Sequence, residues 1–186
     1  YRSNPLKLAE FTLSRKDPQY VERAKDIQLL EKARLDGKNP SEICEEYRSV
    51  IEKFEEIKKI DVANTGIGSV VYANKPGDGS AREQAASCQK VLGGWANIAL
   101  EYATKRYRSN LINWGMLPFI TEGISLSTGD YIFVPGIREA VKNKSDIITA
   151  YVLNSGNLNK VELTLKDLTD DERDIILSGC LINYYA

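Results

Sequence analysis

The chain contains no histidine. That removes every imidazole base, proton shuttle and imidazole metal ligand from its chemistry. Cysteine is scarce: Cys44, Cys88 and Cys180 are the only three in 186 residues, and they stand far apart. No pair has Cys-x-x-Cys spacing, so neither a metal knuckle nor a redox pair can be built from neighbours. An odd count also argues against an extracellular disulfide framework. Cys44 and Cys88 fall in helical patterns and read as small buried hydrophobes. No apolar run approaches the ~20 residues of a membrane span, and no signal peptide opens the chain. Charge of one sign is missing too: 25 basic residues face 26 acidic ones, for a net charge of −1. Nothing here suggests a nucleic-acid or polyanion partner. These absences point to a cytoplasmic protein with no nucleic-acid and no membrane partner. The first residue is Tyr1, so the sequence reads as a piece of a longer protein.

What is present suits a globular fold. A hydrophobic content of 42% is ordinary, and 186 residues suffice for one domain with a real core. The first quarter is helical in pattern. Val21, Ala24, Ile27, Leu30 and Ala33 recur at helical spacing, and Gly37 is a stop signal. Asn39-Pro40-Ser41-Glu42 reads as a second start, with Asn39 capping, Pro40 in the first position and Glu42 reaching back. Ile43, Tyr47, Val50 or Ile51, Phe54 and Ile57 form one apolar stripe, with Glu and Lys opposite. The spacing predicts a helical hairpin over about 19–60, packed on the domain. A partner-binding coiled coil is the alternative, but the stripe is too short for the heptads it needs.

Beyond Asp61 strands and helices alternate. Ser69–Ala73 reads as a short buried strand, 80–92 as a helix ended by Gly93-Gly94, 96–100 as a strand and 104–114 as a helix. Strand-like segments follow at 116–120, 131–134, 147–153 and 161–165, punctuated by Gly and Asn. Thr169-x-x-Glu172 opens a last helix, which ends near Gly179. This order argues for an α/β domain with a partly parallel sheet and β-rich additions.

The chemistry concentrates in Lys75-Pro76-Gly77-Asp78-Gly79-Ser80-Ala81-Arg82-Glu83-Gln84-Ala85-Ala86. Glycines lead into a hydroxyl and a guanidinium just where a helical pattern begins. A helix N-terminus offers free N–H groups and a positive dipole end, which suit a carboxylate or phosphate. An ordinary capped helix after a Gly-rich turn fits the same letters.

The stretch resembles the Gly-x-Gly-Ser-Ser-Arg-Glu-His-Ala segment of the aconitase family, in its C-terminal swivel domain. The similarity continues through Val91-Leu92-Gly93-Gly94, Ala96-Asn97-Ile98-Ala99 and Arg108-Ser109-Asn110-Leu111-Ile112-Asn113-Trp114-Gly115-Met116-Leu117-Pro118. At the other end, Tyr1-Arg2-Ser3-Asn4-Pro5 is similar to the segment after the family's Thr-Thr-Asp-His motif. The resemblance implies a three-layer β/β/α swivelling domain. It also implies a hydro-lyase that removes and adds water across adjacent carbons of a di- or tricarboxylic acid.

In that family a 4Fe–4S cluster supplies the Lewis acid. This chain lacks cysteines at workable spacing, so the resemblance places the cluster in other domains of the same protein, which become its partners. It makes Ser80 the catalytic base and Arg82 the bidentate clamp on a substrate carboxylate. It also makes Gly79 and Ala81, in the same turn, substrate-binding residues, and Arg2 matches a second substrate arginine or is a solvated terminal residue. A serine base must act as an alkoxide, which needs positive charge and donated hydrogen bonds nearby. Arg106 and Arg108 lie on a helix and read as structural or surface residues. Three departures stand out: Ala81 replaces the family's second serine, Gln84 its histidine, and Asn74-Lys75-Pro76-Gly77 its Asn-Tyr-Gly. The helical run from about 26 to 60 is additional to the family pattern. Related hydratases acting on homoaconitate, isopropylmalate or methylated malates remain alternatives. So do a non-catalytic polycarboxylate-binding module and an interaction domain built on the hairpin.

Overall fold

A computed structural model describes residues 4–14 and 17–186. Arg2 lies outside the described residues. Four helices come first: α1 (Pro5–Ser14), α2 (Pro18–Leu35), α3 (Pro40–Ile43) and α4 (Glu45–Glu55). Asp17 caps α2 by accepting from the Gln19 amide, with Pro18 at the first helical position. The helix closes in a Schellman turn. Gly37, at φ +82°, donates to the Arg34 carbonyl, and Lys38 donates to that of Ala33.

The second helical start behaves differently from its pattern. Asn39 caps and Pro40 follows as expected, but the helix breaks after one turn. Cys44 adopts an extended conformation, and its sulfur accepts from the Tyr47 amide as the cap of α4. Cys44 is therefore half-buried rather than a core residue. The break also splits the stripe. Val50, Ile51 and Phe54 are buried, whereas Ile43 on α3 and Ile57 past the end of α4 are 58% and 40% exposed. The extended Cys44 resets the helical phase, so Ile43 no longer shares a face with α4, and Ile57 lies beyond the end of that helix.

Strands β1 (Ser69–Ala73), β2 (Gly94–Ala99) and β3 (Leu117–Ile120) run parallel. They are linked by α5 (Arg82–Val91) and α6 (Lys105–Asn113). Strands β4 (Tyr131–Phe133), β5 (Ile147–Asn154) and β6 (Asn157–Thr164) are antiparallel. The six form one sheet in the order β1-β2-β3-β6-β5-β4. Its halves meet at a single register pair, Ile120 with Thr164, supported by the Thr164 hydroxyl on the Ile120 carbonyl. The β5–β6 turn uses Ser155 and Gly156, both at positive φ, as a two-residue hairpin of primed type requires.

Helices α7 (Ile137–Lys142), α8 (Asp170–Ser178) and α9 (Leu181–Tyr185) complete the chain. The main core joins Ile98, Ile112, Phe119, Ile148, Leu163 and Ile175 across both sheet halves. The result is the expected α/β swivel-type domain, a partly parallel sheet with an antiparallel β addition.

The two limbs of the helical hairpin dock on different ground. Val21 and Ala24 of α2 pack with Ala9 of α1, Cys88 of α5 and Leu92 at the end of that helix. Val50, Ile51 and Phe54 of α4 pack with Leu153 on β5, against Tyr131, Phe133 and Tyr151. Phe54 and Phe133 bring their ring centroids within 5.4 Å.

Candidate functional site

The Gly-rich stretch leaves the carboxyl end of β1, on the edge where parallel sheets present their ligand-binding loops. Its first half is anchored tightly. The amides of Leu100 and Glu101 both donate to the Asn74 carbonyl at 3.2 Å, and that of Ala103 donates to Pro76 at 2.9 Å. The Gly77 carbonyl accepts from two sides, from Arg82 Nε and from the Thr104 hydroxyl, each at 3.3 Å. Thr104 meanwhile caps α6 by accepting from the Tyr107 amide. Gly77 itself has φ +98°, and a Cβ there would stand 2.4 Å from the Tyr107 ring. Both the backbone angle and the contact therefore demand glycine.

Tyr107 is held by a polar triangle beneath the loop. Its hydroxyl donates to Asn97 Oδ1 at 2.6 Å. The Asn97 amide donates to Gln89 Oε1 at 2.6 Å, and the Gln89 amide donates back to the Tyr107 hydroxyl at 3.0 Å. All three residues are buried. A closed ring of this kind satisfies groups that would be costly to leave unpaired and fixes one arrangement of β2, α5 and α6. Burial raises the Tyr107 pKa above the ordinary tyrosine value, partly offset by the Gln89 bond. Burial also raises that of Tyr102, whose hydroxyl donates to the Phe119 carbonyl at 2.8 Å. Both phenols thus remain protonated donors.

The second half of the loop is open. Asp78, Gly79, Ser80 and Ala81 are all exposed. The helix begins at Arg82, two residues after Ser80, so the serine is not its cap. That position is Ala81, and no side chain caps the first turn. Arg82 is half-buried, turned back by its Nε onto Gly77. Among the described residues its two terminal nitrogens carry no hydrogen bond. The geometry brings Gly79, Ser80, Ala81 and Arg82 onto one tip. Arg106 is exposed, and Arg108 is committed to Glu172 at 3.3 Å and to the Lys166 carbonyl at 3.0 Å. The Lys75–Glu101 pair on the rim, at 3.0 Å, is more than half exposed and adds little.

Thr104, Gln89, Asn97 and Tyr107 are the supporting residues that sequence reasoning passes over. One signal pointed to them: Asn97 is the sole polar side chain within the otherwise apolar run Ala96–Leu100. Two surface concavities, of about 360 and 490 Å³, lie elsewhere. One sits between the 123–126 loop and the β5–β6 hairpin, the other along α1 and α2, and neither includes Ser80 or Arg82. Among the described residues no group of three or more Cys, Asp or Glu could hold a metal. Cys44 caps α4, Cys88 lies within α5 and Cys180 precedes α9, on three different elements, so these thiols do not gather into a cluster-binding set. No helix of the described residues is long and apolar enough to cross a membrane.

Comparison with known proteins bears on this loop directly. Residues 19–122 match the model of the aconitase C-terminal domain, a span that includes α2–α4 as well as the loop. Aconitate hydratase A of Rickettsia bellii is 29% identical over 132 residues, which are 67% of this chain and 15% of that protein. The chain thus spans about a seventh of the length of the aconitate hydratases it matches. The methanogen homoaconitase small subunit of Methanocaldococcus jannaschii is 36% identical over 118 residues, covering 63% of this chain and 61% of that one. A solved structure of 3-isopropylmalate dehydratase from the same organism is 27% identical, with a TM-score of 0.45 over 70% of this chain and 71% of the other. With more than half of its residues, the Gly77–Arg82 turn among them, inside the family model, the chain belongs to the aconitase C-terminal domain family.

Proposed function

We propose that this chain supplies the base and one carboxylate clamp of an aconitase-type hydro-lyase acting on a di- or tricarboxylic acid in the cytoplasm. The observation that carries the reading is the shared tip: Ser80 and Arg82 stand together at an uncapped helix N-terminus on the carboxyl edge of parallel strands. Arg82 would hold a substrate carboxylate with its two terminal nitrogens while Nε stays on Gly77. Ser80, as alkoxide, would take the proton from the carbon next to the departing hydroxyl. The open first turn of α5, the guanidinium and the loop amides would stabilise its negative charge. Gly79 and Ala81 keep the approach free of side-chain bulk, and Arg2 is a candidate second clamp. A 4Fe–4S cluster held outside this chain would supply the Lewis acidity that the departing hydroxyl needs. The exposed tip suits closure against the domain or subunit that carries it.

Two substrate classes suit this site. Family membership favours citrate and isocitrate. The higher identity to a homoaconitase small subunit favours a longer homologue, and the small Ala81 in place of serine removes one donor a substrate group would need. The decisive experiment is kinetic, on the intact enzyme. Ser80→Ala is expected to lower kcat by orders of magnitude with little change in KM, and Arg82→Lys to raise KM strongly. Near-normal kcat in Ser80→Ala would assign the base elsewhere. A chain with neither effect but with citrate binding lost in Arg82→Lys would be a binding module instead.

A further inference from the structure

The dipeptide Asp-Gly occurs twice, at Asp36-Gly37 and at Asp78-Gly79. In this dipeptide the glycine nitrogen can attack the preceding carboxyl carbon most easily, because no Cβ shields it. The fold treats the two copies differently. Asp36 ends α2, and its amide donates to the Lys32 carbonyl at 2.9 Å. Gly37 donates to Arg34 at 3.0 Å inside the Schellman turn, with Lys38 on Ala33 at 2.9 Å just beyond. To close a ring on Asp36, the Gly37 nitrogen would have to leave that bond and the turn would have to open.

Nothing comparable restrains the second copy. Asp78 and Gly79 are exposed and lie in no helix or strand. Among the described residues, neither the Gly79 amide nor the Asp78 carboxylate makes a hydrogen bond. A Cβ on Gly79 would meet no atom within 4 Å, and its φ lies outside the left-handed region. The glycine is therefore not required by strain or by packing, unlike Gly77 one residue before Asp78.

We propose that Asp78 is a site of spontaneous isomerisation through a cyclic imide, permitted by the fold at this copy of the dipeptide and suppressed at Asp36. The Gly79 nitrogen forms a bond to Asp78 Cγ and loses its proton, and a carboxyl oxygen leaves as water. A second water then opens the five-membered imide. Attack at Cγ restores aspartate. Attack at the main-chain carbonyl carbon gives isoaspartate, in which the chain runs through Cβ and Cγ and the α-carboxylate becomes the side group. Water is the only other reactant, and no electrons are transferred. The product lengthens the backbone by one carbon between the anchored Gly77 and Ser80, so it would shift the hydroxyl relative to Arg82. Isoaspartate is the substrate of carboxyl-methylating repair enzymes, which makes Asp78 a site for that class of modification. The inference does not depend on Ser80 being a base.

The test is to age the folded chain at neutral pH and 37 °C, then measure isoaspartate at both sites by enzymatic methylation and peptide mapping. Isoaspartate is expected to accumulate several-fold faster at Asp78 than at Asp36, and the two rates are expected to converge in denaturing urea. Gly79→Ala, which the open space around Gly79 accommodates, should remove the Asp78 signal with the circular dichroism unchanged, and Asp78→Glu should do the same. Equal rates at the two sites in the folded chain would overturn the proposal. So would a difference that persists undiminished in urea, since that would place its origin in the local sequence.

Discussion

Helices α8 and α5 begin in opposite ways. The first turn of α8 is closed by a capping box: the Thr169 hydroxyl accepts from the Glu172 amide at 3.1 Å, and the Glu172 carboxylate accepts from the Thr169 amide at 3.0 Å. Asp170 and Asp171 add negative charge where the helix dipole is positive. The first turn of α5 has alanine as its cap, no side-chain hydrogen bond, and a cation as its first residue. A missing cap costs about 1 kcal/mol of local stability. The α8 end serves folding. The α5 end keeps its amides and dipole free, and the fold compensates below it. Gly77 is pinned by Arg82 and Thr104, and Tyr107 under it is pinned by Gln89 and Asn97.

Removing that support should have the largest effect. Asn97→Ala leaves the buried Tyr107 O–H proton without its acceptor and the buried Gln89 carbonyl without its donor, and it should lower stability by about 3 kcal/mol, using 1–3 kcal/mol per orphaned group. Urea unfolding would measure it. A loss below about 1 kcal/mol would mean that packing alone holds the loop floor.

Exchanging the caps gives smaller effects of opposite sign. Thr169→Ala should cost about 1 kcal/mol, and Ala81→Ser should gain several tenths of a kcal/mol by supplying the missing acceptor. If Ala81→Ser also changes the ranking of citrate, isocitrate and shorter malates in the intact enzyme, the position contacts substrate. An unchanged ranking would confine Ala81 to helix stability.

pH should separate the two ends with the smallest effects. Tyr102 and Tyr107, under the α5 end, have their pKa values raised chiefly by burial. Their contribution is complete below the unfolded tyrosine value of about 10 and is lost as pH rises through the higher folded values. Unfolding midpoints should therefore fall on the alkaline side, and less steeply in Tyr102→Phe. At the α8 end the Lys144 bond to Asp170 holds that carboxyl below its usual value. Its contribution is present above the unfolded pKa of about 3.9 and is lost as pH falls through the folded one. Asp170 is fully exposed, so Lys144→Gln should leave only a slight change in the acid limb. An alkaline limb identical in wild type and Tyr102→Phe would show that the Tyr102 phenol is not coupled to folding.

Much of the molecule was legible in its letters because the signals were local. The strand Ser69–Ala73, the helices around 82–91 and 105–113 and the Thr169 capping box follow from period, caps and stop residues within a few positions. The tip Gly79–Arg82 was legible because glycine, hydroxyl and guanidinium before a helix carry their chemistry in order. Helix α7 has six residues and was not, since so short a segment shows less than two turns of period. The break at Cys44 was equally hidden, because both sides of it continue to look helical. Arg2 lies outside the described residues, so its role rests on the sequence alone.

The α/β alternation, the absence of imidazole chemistry and the position of the Gly-rich loop before a helix could be read from the letters alone, because each depends on residue type and near neighbours. Only the tertiary structure decided that Ala81, not Ser80, caps α5, and that α2 and α4 dock on separate clusters. It also decided that Gln89, Asn97 and Tyr107 close a ring under the loop, and that one Asp-Gly is tied into a helix end while the other is free. The separate docking and the ring depend on which atoms meet across long stretches of chain, and such meetings are fixed by packing and by the need to pair buried polar groups; the helix start and the two Asp-Gly sites depend on which backbone turns close in the folded chain.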